Sequence, residues 1–213
     1  MPRCKHCKQK FEAKQFNRKY CYKDECIQAA YEYAKKKLID NAKKEKSRQN
    51  IDLMSKDKYR ATKIQPLINK LVRIIDHNQK CIATGNGGKM SAGHRHSVGS
   101  SRNLSLNLHN IHIQSYQSNS MQAGDHVKYR QGIIKTYSRE YANFIDEVLT
   151  KCPSRLWDKQ KLQELRPIIQ KKVNELEKLS KQYTAKERVE LRNELNEYFG
   201  LYPKEFSIYT LNI

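Results

Sequence analysis

Apolar positions recur at helical spacing in three stretches of the chain. Ile64, Leu67, Ile68, Leu71, Val72 and Ile75 follow the i, i+3, i+4, i+7 pattern of an amphipathic helix. Pro66 falls in the first turn of that helix, where a missing N–H costs little. Ile27, Ala30, Tyr31, Ala34 and Leu38 form a thinner stripe on a helix that starts near Cys26, with Asp24 as its cap. Beyond residue 40 the stripe gives way to polar residues, so 41–60 read as a basic linker or a solvent-exposed helix. From Trp157 onward Leu162, Leu165, Ile169, Leu176, Leu179 and Tyr183 make a near-heptad stripe. Leu191, Leu195, Tyr198 and Phe199 continue it after a polar break at Thr184. Pro167 is expected to separate a short helix from the next, and Gly200 to close the last one. This C-terminal part reads either as a dimerisation element or as helices packed on the rest of the chain. The tail FSIYTLNI has the pattern of a short strand.

Residues 77–126 break the helical pattern. Short β-favouring runs, at 80–83, 90–96 and 110–114, alternate with turn signals, and a helix can restart from Ser118. The expected fold class is α+β, mostly helical, with a small central β-β-α unit. The expected organisation is a Cys4 zinc-binding module (1–30), a basic helical arm (31–76), the central core (77–150) and a C-terminal helical region (151–213).

Charge narrows the field of partners. The 213 residues hold 42 Lys+Arg against 22 Asp+Glu, a net +20, and only 38% are apolar. Such an excess of positive charge points to a polyanion, most often nucleic acid, with a charged helical scaffold as the alternative. The excess is uneven: residues 1–60 carry 18 basic and 8 acidic side chains, against 13 and 9 in 151–213. The first third therefore feels a phosphate backbone most strongly. No run of about 18 apolar residues exists, so no membrane span and no membrane partner are expected. The N-terminus lacks an apolar signal region, and the expected location is the cytoplasm.

Four of the six cysteines fall close together as Cys4-x2-Cys7 and Cys21-x4-Cys26; Cys81 and Cys152 stand apart. In a reducing compartment two such pairs read as a tetrahedral zinc site. Phe11, Phe16 and Tyr20 are expected to form a small core beneath it. The segment is too short to fold on apolar burial, and zinc supplies roughly 10–16 kcal/mol in small finger peptides. His6 is superfluous once four thiolates fill the shell. The cations Lys5, Lys8, Arg18 and Lys19 surround the module.

Six of the seven histidines, His77, His94, His96, His109, His112 and His126, lie in the central block, which has no acid before Asp125. This density favours a metal or acid–base site. His112 alternates with Ile111 and Ile113 and reads as a strand residue facing outward, while His109 and His126 read as surface.

The run Ala92-Gly93-His94, followed by Arg102, Asn110-Ile111-His112-Ile113-Gln114, Asn119 and Gly124, resembles the phage NinG family. These are Rap-type recombination endonucleases of the HNH (ββα-metal) class. The likeness covers roughly residues 1–150 and is most specific over 92–125. The family's Cys-x2-Cys before the histidine appears as Cys81-Ile-Ala-Thr84, its second as Ser115-Tyr-Gln-Ser118, and its closing Asn as Asp125. Hydroxyls are poor zinc ligands at neutral pH, so one zinc per chain is expected, with Ser115 and Ser118 left to hydrogen-bond or Cys81 simply buried.

The resemblance implies a metal-dependent DNA endonuclease, located in the host cytoplasm if phage-encoded. It would be structure-selective for branched recombination intermediates such as D-loops and Holliday junctions. His94 is implied as general base, Asn110 as the residue that ties the loop and orients it, and Asn119 as ligand of one Mg²⁺ or Mn²⁺. The typical HNH core has Asp or His directly before the base; here it is Gly93. His96, expected on the same strand face as His94, is the favoured second metal ligand and a further catalytic candidate, ahead of Asp125 and His112. Arg102, Lys128 and Arg130 are expected on phosphates. A homodimer is left open. Two rival functions stand beside the enzyme: a zinc-dependent DNA- or junction-binding protein with a degenerate HNH core, and an RNA-binding accessory factor. The scattered tyrosines, with no stacking platform, oppose the last.

Overall fold

The computed structural model describes residues 1–121, 125–154, 157–179 and 181–210. The chain forms two compact units, 1–54 and 55–213.

In the first unit a tight knuckle holds the first cysteine pair. The Lys8 N–H donates to Cys4 O at 3.0 Å and the Cys4 N–H to Gln9 O at 2.9 Å. Arg3 and Lys10 form an isolated antiparallel bridge. Phe11 and Tyr20 pack on the buried cysteines, but Phe16, expected beside them, is 96% exposed. The helix α1 (Asp24–Asp52) follows. Its N-cap is Lys23, without a side-chain cap bond, so Asp24 is the first helical residue and not the cap. There, with Glu25, it still favours the positive end of the helix dipole. Only Cys26 of α1 is buried, and Ile27, Tyr31 and Leu38 lie exposed. The thin apolar stripe therefore builds no core within this unit.

The second unit holds the main core. The helix α2 (Lys56–Tyr59), a π-helical turn at Arg60–Ile64 and the helix α3 (Gln65–Ile75) run consecutively. Ile68, Leu71, Val72 and Ile75 of α3 are buried, as the periodicity requires. The strands β1 (Met90–His94) and β2 (Ile111–Ser115) pair antiparallel, with Ala92 opposite Ile113, Gly93 opposite His112 and His94 opposite Ile111. The expected third run at 80–83 is a turn, not a strand, anchored by the Ile82 N–H on Ile113 O at 3.0 Å. The helix expected from Ser118 is a π-helical turn, Gln117–Met121, and the α-helix proper, α4 (His126–Thr136), starts later. Gly124 lies outside the described residues.

Packing of the strands depends on polar side chains. The Tyr129 hydroxyl of α4 enters between Gly93 and His112, accepting from the His112 N–H at 3.0 Å and donating to Gly93 O at 2.8 Å. At the outer edge of β2, Asp76 Oδ2 accepts the Ile113 N–H at 2.9 Å. An edge that would otherwise expose backbone donors is thus closed.

α5 (Arg139–Asn143) leads through a π-helical turn at Phe144–Val148 towards the C-terminal helices. α6 (Lys159–Leu179) is unbroken, and Pro167 lies inside it rather than between two helices. Leu162 and Leu165 before it, and Ile169 and Val173 after it, are buried, so packing on both sides offsets the roughly 3 kcal/mol a central proline costs. α7 (Ala185–Phe199) opens on a Thr184–Glu187 capping box and ends at Gly200 in the left-handed conformation, φ 55°. Its buried face, Val189, Arg192, Leu195, Asn196 and Phe199, belongs to the chain's own core. Of the expected terminal strand, Phe206 and Ser207 belong to the short helix α8 (Lys204–Ser207), 208–210 form no strand, with Tyr209 packed on Tyr141 and Phe144, and 211–213 lie outside the described residues.

Arg192 joins these parts. Its fully buried guanidinium lies 2.9 and 2.8 Å from the two Asp76 oxygens and 3.1 Å from Leu108 O. Arg188 approaches the same carboxylate at 3.6 Å.

Candidate active site and metal centre

The four sulfurs of Cys4, Cys7, Cys21 and Cys26 lie within 4.8 Å of one another, and Cys7 Sγ is 3.7 Å from Cys21 Sγ. A tetrahedral zinc with bonds of about 2.3 Å sets its sulfurs about 3.8 Å apart, so the residues fit this ion. The Cys21 N–H already donates to Cys4 Sγ at 3.3 Å. Burial opposes ionisation of Cys4, but backbone N–H groups of Cys21, Cys7 and His6 outweigh it and bring its pKa to about 6. Burial and the neighbouring thiols push Cys26 up to about 12. Four thiolates this close repel without a cation among them. His6 is exposed and contributes its backbone N–H only.

A second cluster brings together Cys81, Thr84, Ser115 and Ser118. Ser118 Oγ accepts from Gln114 Nε2 at 2.9 Å, and the Ser118 N–H donates to Ser115 Oγ at 3.3 Å. Burial would raise the Cys81 pKa, but hydrogen bonds from Ser115 and Thr84 outweigh it and bring the thiol below its ordinary value. Hydrogen bonds thus occupy the place where a metal would need thiolates. Among the described residues only the N-terminal cluster groups three or more His, Cys, Asp or Glu ligands.

His94 ends β1. Its Nε2 lies 3.0 Å from the Ser105 carbonyl oxygen and 3.4 Å from Gln65 Nε2. Gln65 in turn accepts from Arg60 Nη1 at 3.2 Å and donates to Asn69 Oδ1 at 3.0 Å. The carbonyl can only accept, so Nε2 carries the proton and Nδ1 the lone pair. Burial lowers the His94 pKa below 6.5; the Ser105 carbonyl opposes this and the Arg60 charge adds to it. The ring is therefore a neutral base at pH 7. Sequence reasoning missed Arg60 and Gln65, which precede the central block and carry no motif.

Asn110, fully buried, ties the exit of β1 to the entry of β2. Its Oδ1 accepts the His96 N–H at 2.8 Å, and its Nδ2 donates to His96 O and Leu104 O at 3.0 and 3.2 Å. An Asn offers both donor and acceptor, which an Asp or Leu at this position does not.

His96 does not share the face of His94. Its Nε2 lies 3.2 Å from Ile145 O and 3.2 Å from Asp146 Oδ1, so that nitrogen is committed as a donor. β1 ends at His94, and the alternation that would align the two rings ends with it. Asp146 also receives Arg95 through two bonds of 3.0 Å and Arg130 Nε at 2.9 Å. Burial opposes ionisation of Asp146, but His96 and Arg95 hold its carboxyl far below the usual carboxylate range. His112 and His109 are buried and not at the surface. His112 Nδ1 meets the Tyr129 hydroxyl at 3.2 Å, and His109 bridges Tyr141 and Ser207 O at 2.9 and 3.0 Å. His126 and His77 are exposed.

Asn119 packs along β1, its Nδ2 donating to Ser91 Oγ at 3.1 Å. This leaves Oδ1 as the atom able to ligate a cation. A Cβ at Gly93 would collide with Gln114 Oε1, so an acidic side chain there requires the Gln114 side chain to move. Asp125 caps α4 and holds Lys128 Nζ at 2.8 Å. Among the described residues no group of three or more His, Cys, Asp or Glu ligands gathers at Asn119, so the protein shell it offers a divalent cation is incomplete.

The cations expected on phosphates differ in their commitments. Arg102 pairs with Asp57 at 2.9 Å, and Lys128 and Arg130 with Asp125 and Asp146. In the first unit Lys5, Lys8 and Lys19 are exposed, while Arg18 lies 4.1 Å over the Tyr22 ring.

No helix among the described residues is long and apolar enough to cross a membrane. No curated protein and no solved structure matches the chain. The family described as Bacteriophage Lambda NinG protein matches residues 1–181, which include the Cys4 cluster, the two strands and the whole of α6. The chain belongs to the bacteriophage lambda NinG protein family.

Proposed function

We propose that this NinG-family chain is a DNA endonuclease with an HNH-type core, hydrolysing phosphodiester bonds in branched recombination intermediates. The observation that carries the reading is His94: a neutral imidazole at a strand end, its Nε2 fixed on Ser105 O and its Nδ1 lone pair unclaimed among the described residues. Such a group takes a proton from water as it attacks phosphorus, and the bond to O3′ breaks. Asn110 holds the loop that positions this base. A Mg²⁺ or Mn²⁺ ion would supply charge stabilisation at the leaving oxygen, with Asn119 Oδ1 as its protein contact. The zinc module and α1 supply exposed lysines for the phosphate backbone. Preference for branched DNA rests on family membership alone.

Two observations favour a second reading, a DNA- or junction-binding protein without catalysis. The side chain of Gln114 fills the space beside Gly93, and His96 is committed to Asp146, so the protein ligands of a catalytic cation are few. Incubating the pure protein with linear, single-stranded and branched DNA in Mg²⁺, Mn²⁺ or EDTA separates the two. Metal-dependent nicking that His94→Ala abolishes supports the enzyme, and tight binding without cleavage in any metal supports the second reading.

A further inference from the structure

Three arginines are buried among the described residues: Arg60, Arg188 and Arg192. Arg188 and Arg192 face Asp76 at 3.6 and 2.8 Å. Arg60, only 5% exposed, makes no contact ion pair among the described residues; the Asp57 charge acts on it from a greater distance, while Asp57 Oδ2 bonds Arg102 at 2.9 Å. Of its three nitrogens, Nη1 donates to the neutral Gln65 Oε1 at 3.2 Å. Nε is buried with no partner, and no hydrogen bond among the described residues reaches Nη2. Burial disfavours the charged guanidinium and the Asp57 charge offsets this only from a distance, so the donors of Arg60 stay under-used where proteins normally bond them. Arg60 also opens a π-helical turn, a distortion frequent at functional sites. Through Gln65 it stands one side chain away from the His94 ring.

We propose that Arg60 is an anion-binding residue that receives a phosphate oxygen beside His94. Its functional meaning, a grip on the phosphodiester under attack, rests on the nuclease reading. The anion site itself rests on the bonding of Arg60 alone. A guanidinium recognises phosphate through a planar fork of donors, which lysine cannot reproduce. The same chemistry fits inorganic phosphate and a DNA backbone phosphate.

The test uses the full zinc-loaded chain, Arg60→Met and Arg60→Lys. The first arm follows thermal unfolding in chloride buffer with and without inorganic phosphate at constant ionic strength. Wild type gains stability from phosphate, Arg60→Met gains none, and Arg60→Lys gains less than wild type. The second arm measures branched-DNA affinity in EDTA and cleavage in Mg²⁺ or Mn²⁺. Both variants lose about 100-fold in kcat, as for removal of one charge-stabilising donor. Their DNA Kd changes less than about threefold, because many lysines share the backbone contacts. If Arg60→Met folds poorly, Arg60→Lys alone carries both arms. Equal phosphate stabilisation of wild type and variants, with unchanged cleavage, overturns the proposal and leaves the nuclease reading standing. Arg60-dependent stabilisation by phosphate in a chain that cleaves nothing upholds the anion site and overturns the nuclease reading.

Discussion

His94 Nε2 lies 3.0 Å from the carbonyl oxygen of Ser105, and this contact decides which ring nitrogen can act. The Nε2–H tautomer follows, with the lone pair at Nδ1. Long-range ¹H–¹⁵N correlation spectra should show a neutral, Nε2-protonated ring from pH 7 upwards. A ring protonated at Nδ1 contradicts the assignment of the base.

Metal analysis should find one zinc per chain, held by Cys4, Cys7, Cys21 and Cys26. Cys26→Ser or a strong chelator should unravel residues 1–23 and leave the unfolding of residues 55–213 unchanged, because the main core lies there. Structural zinc is worth roughly 10–16 kcal/mol at such sites. Two zincs per chain would contradict the hydrogen-bonded reading of Cys81, Thr84, Ser115 and Ser118.

Asp76 and Arg192 are a buried pair, and removing one partner strands the other charge. Asp76→Asn also weakens the acceptor of the Ile113 N–H on the edge of β2. Either Asp76→Asn or Arg192→Met should cost about 3–5 kcal/mol in denaturant unfolding, and the double variant less than the sum. Additive losses would show that the pair does not act as a unit.

His109 and His112 are buried as neutral rings. Burial lowers the His109 pKa to about 3, with the Ser207 carbonyl opposing and the Arg192 charge adding. Burial and then the Arg192 charge hold His112 well below 6.5. A depressed histidine pKa means the unfolded chain binds the proton first. Stability is therefore full above about pH 6.5 and falls as pH drops towards 3, by up to about 1.4 kcal/mol per pH unit for each ring. The pH dependence of urea unfolding checks this. Flat stability between pH 6.5 and 4 would contradict the burial of both rings.

Much of the frame was legible in the residues. The α3 periodicity, the Cys4 spacing, the strand pair around Gly93 and His112, and Gly200 as a helix stop all reflect local rules of spacing or backbone conformation. What escaped depends on distant partners. His112 looked like an outward strand residue because alternation cannot reveal that Tyr129, Tyr137 and Tyr141 cover the second face. His96 was paired with His94 by strand parity, yet the strand stops and Asp146 captures the ring. Pro167 was expected to end a helix, because a propensity rule does not see the packing on either side of it. Arg60 and Gln65 carry no motif; only the fold brings them to His94.

The role of His94 is tested by cleavage of a four-way DNA junction by wild type and His94→Ala, each zinc-loaded, in Mg²⁺, Mn²⁺ or EDTA. Wild type should nick the junction only with metal, and the variant should lose at least about 100-fold while keeping its junction affinity. Wild type that binds junctions tightly and cuts none in any metal, or His94→Ala that cuts as fast as wild type, would contradict that role.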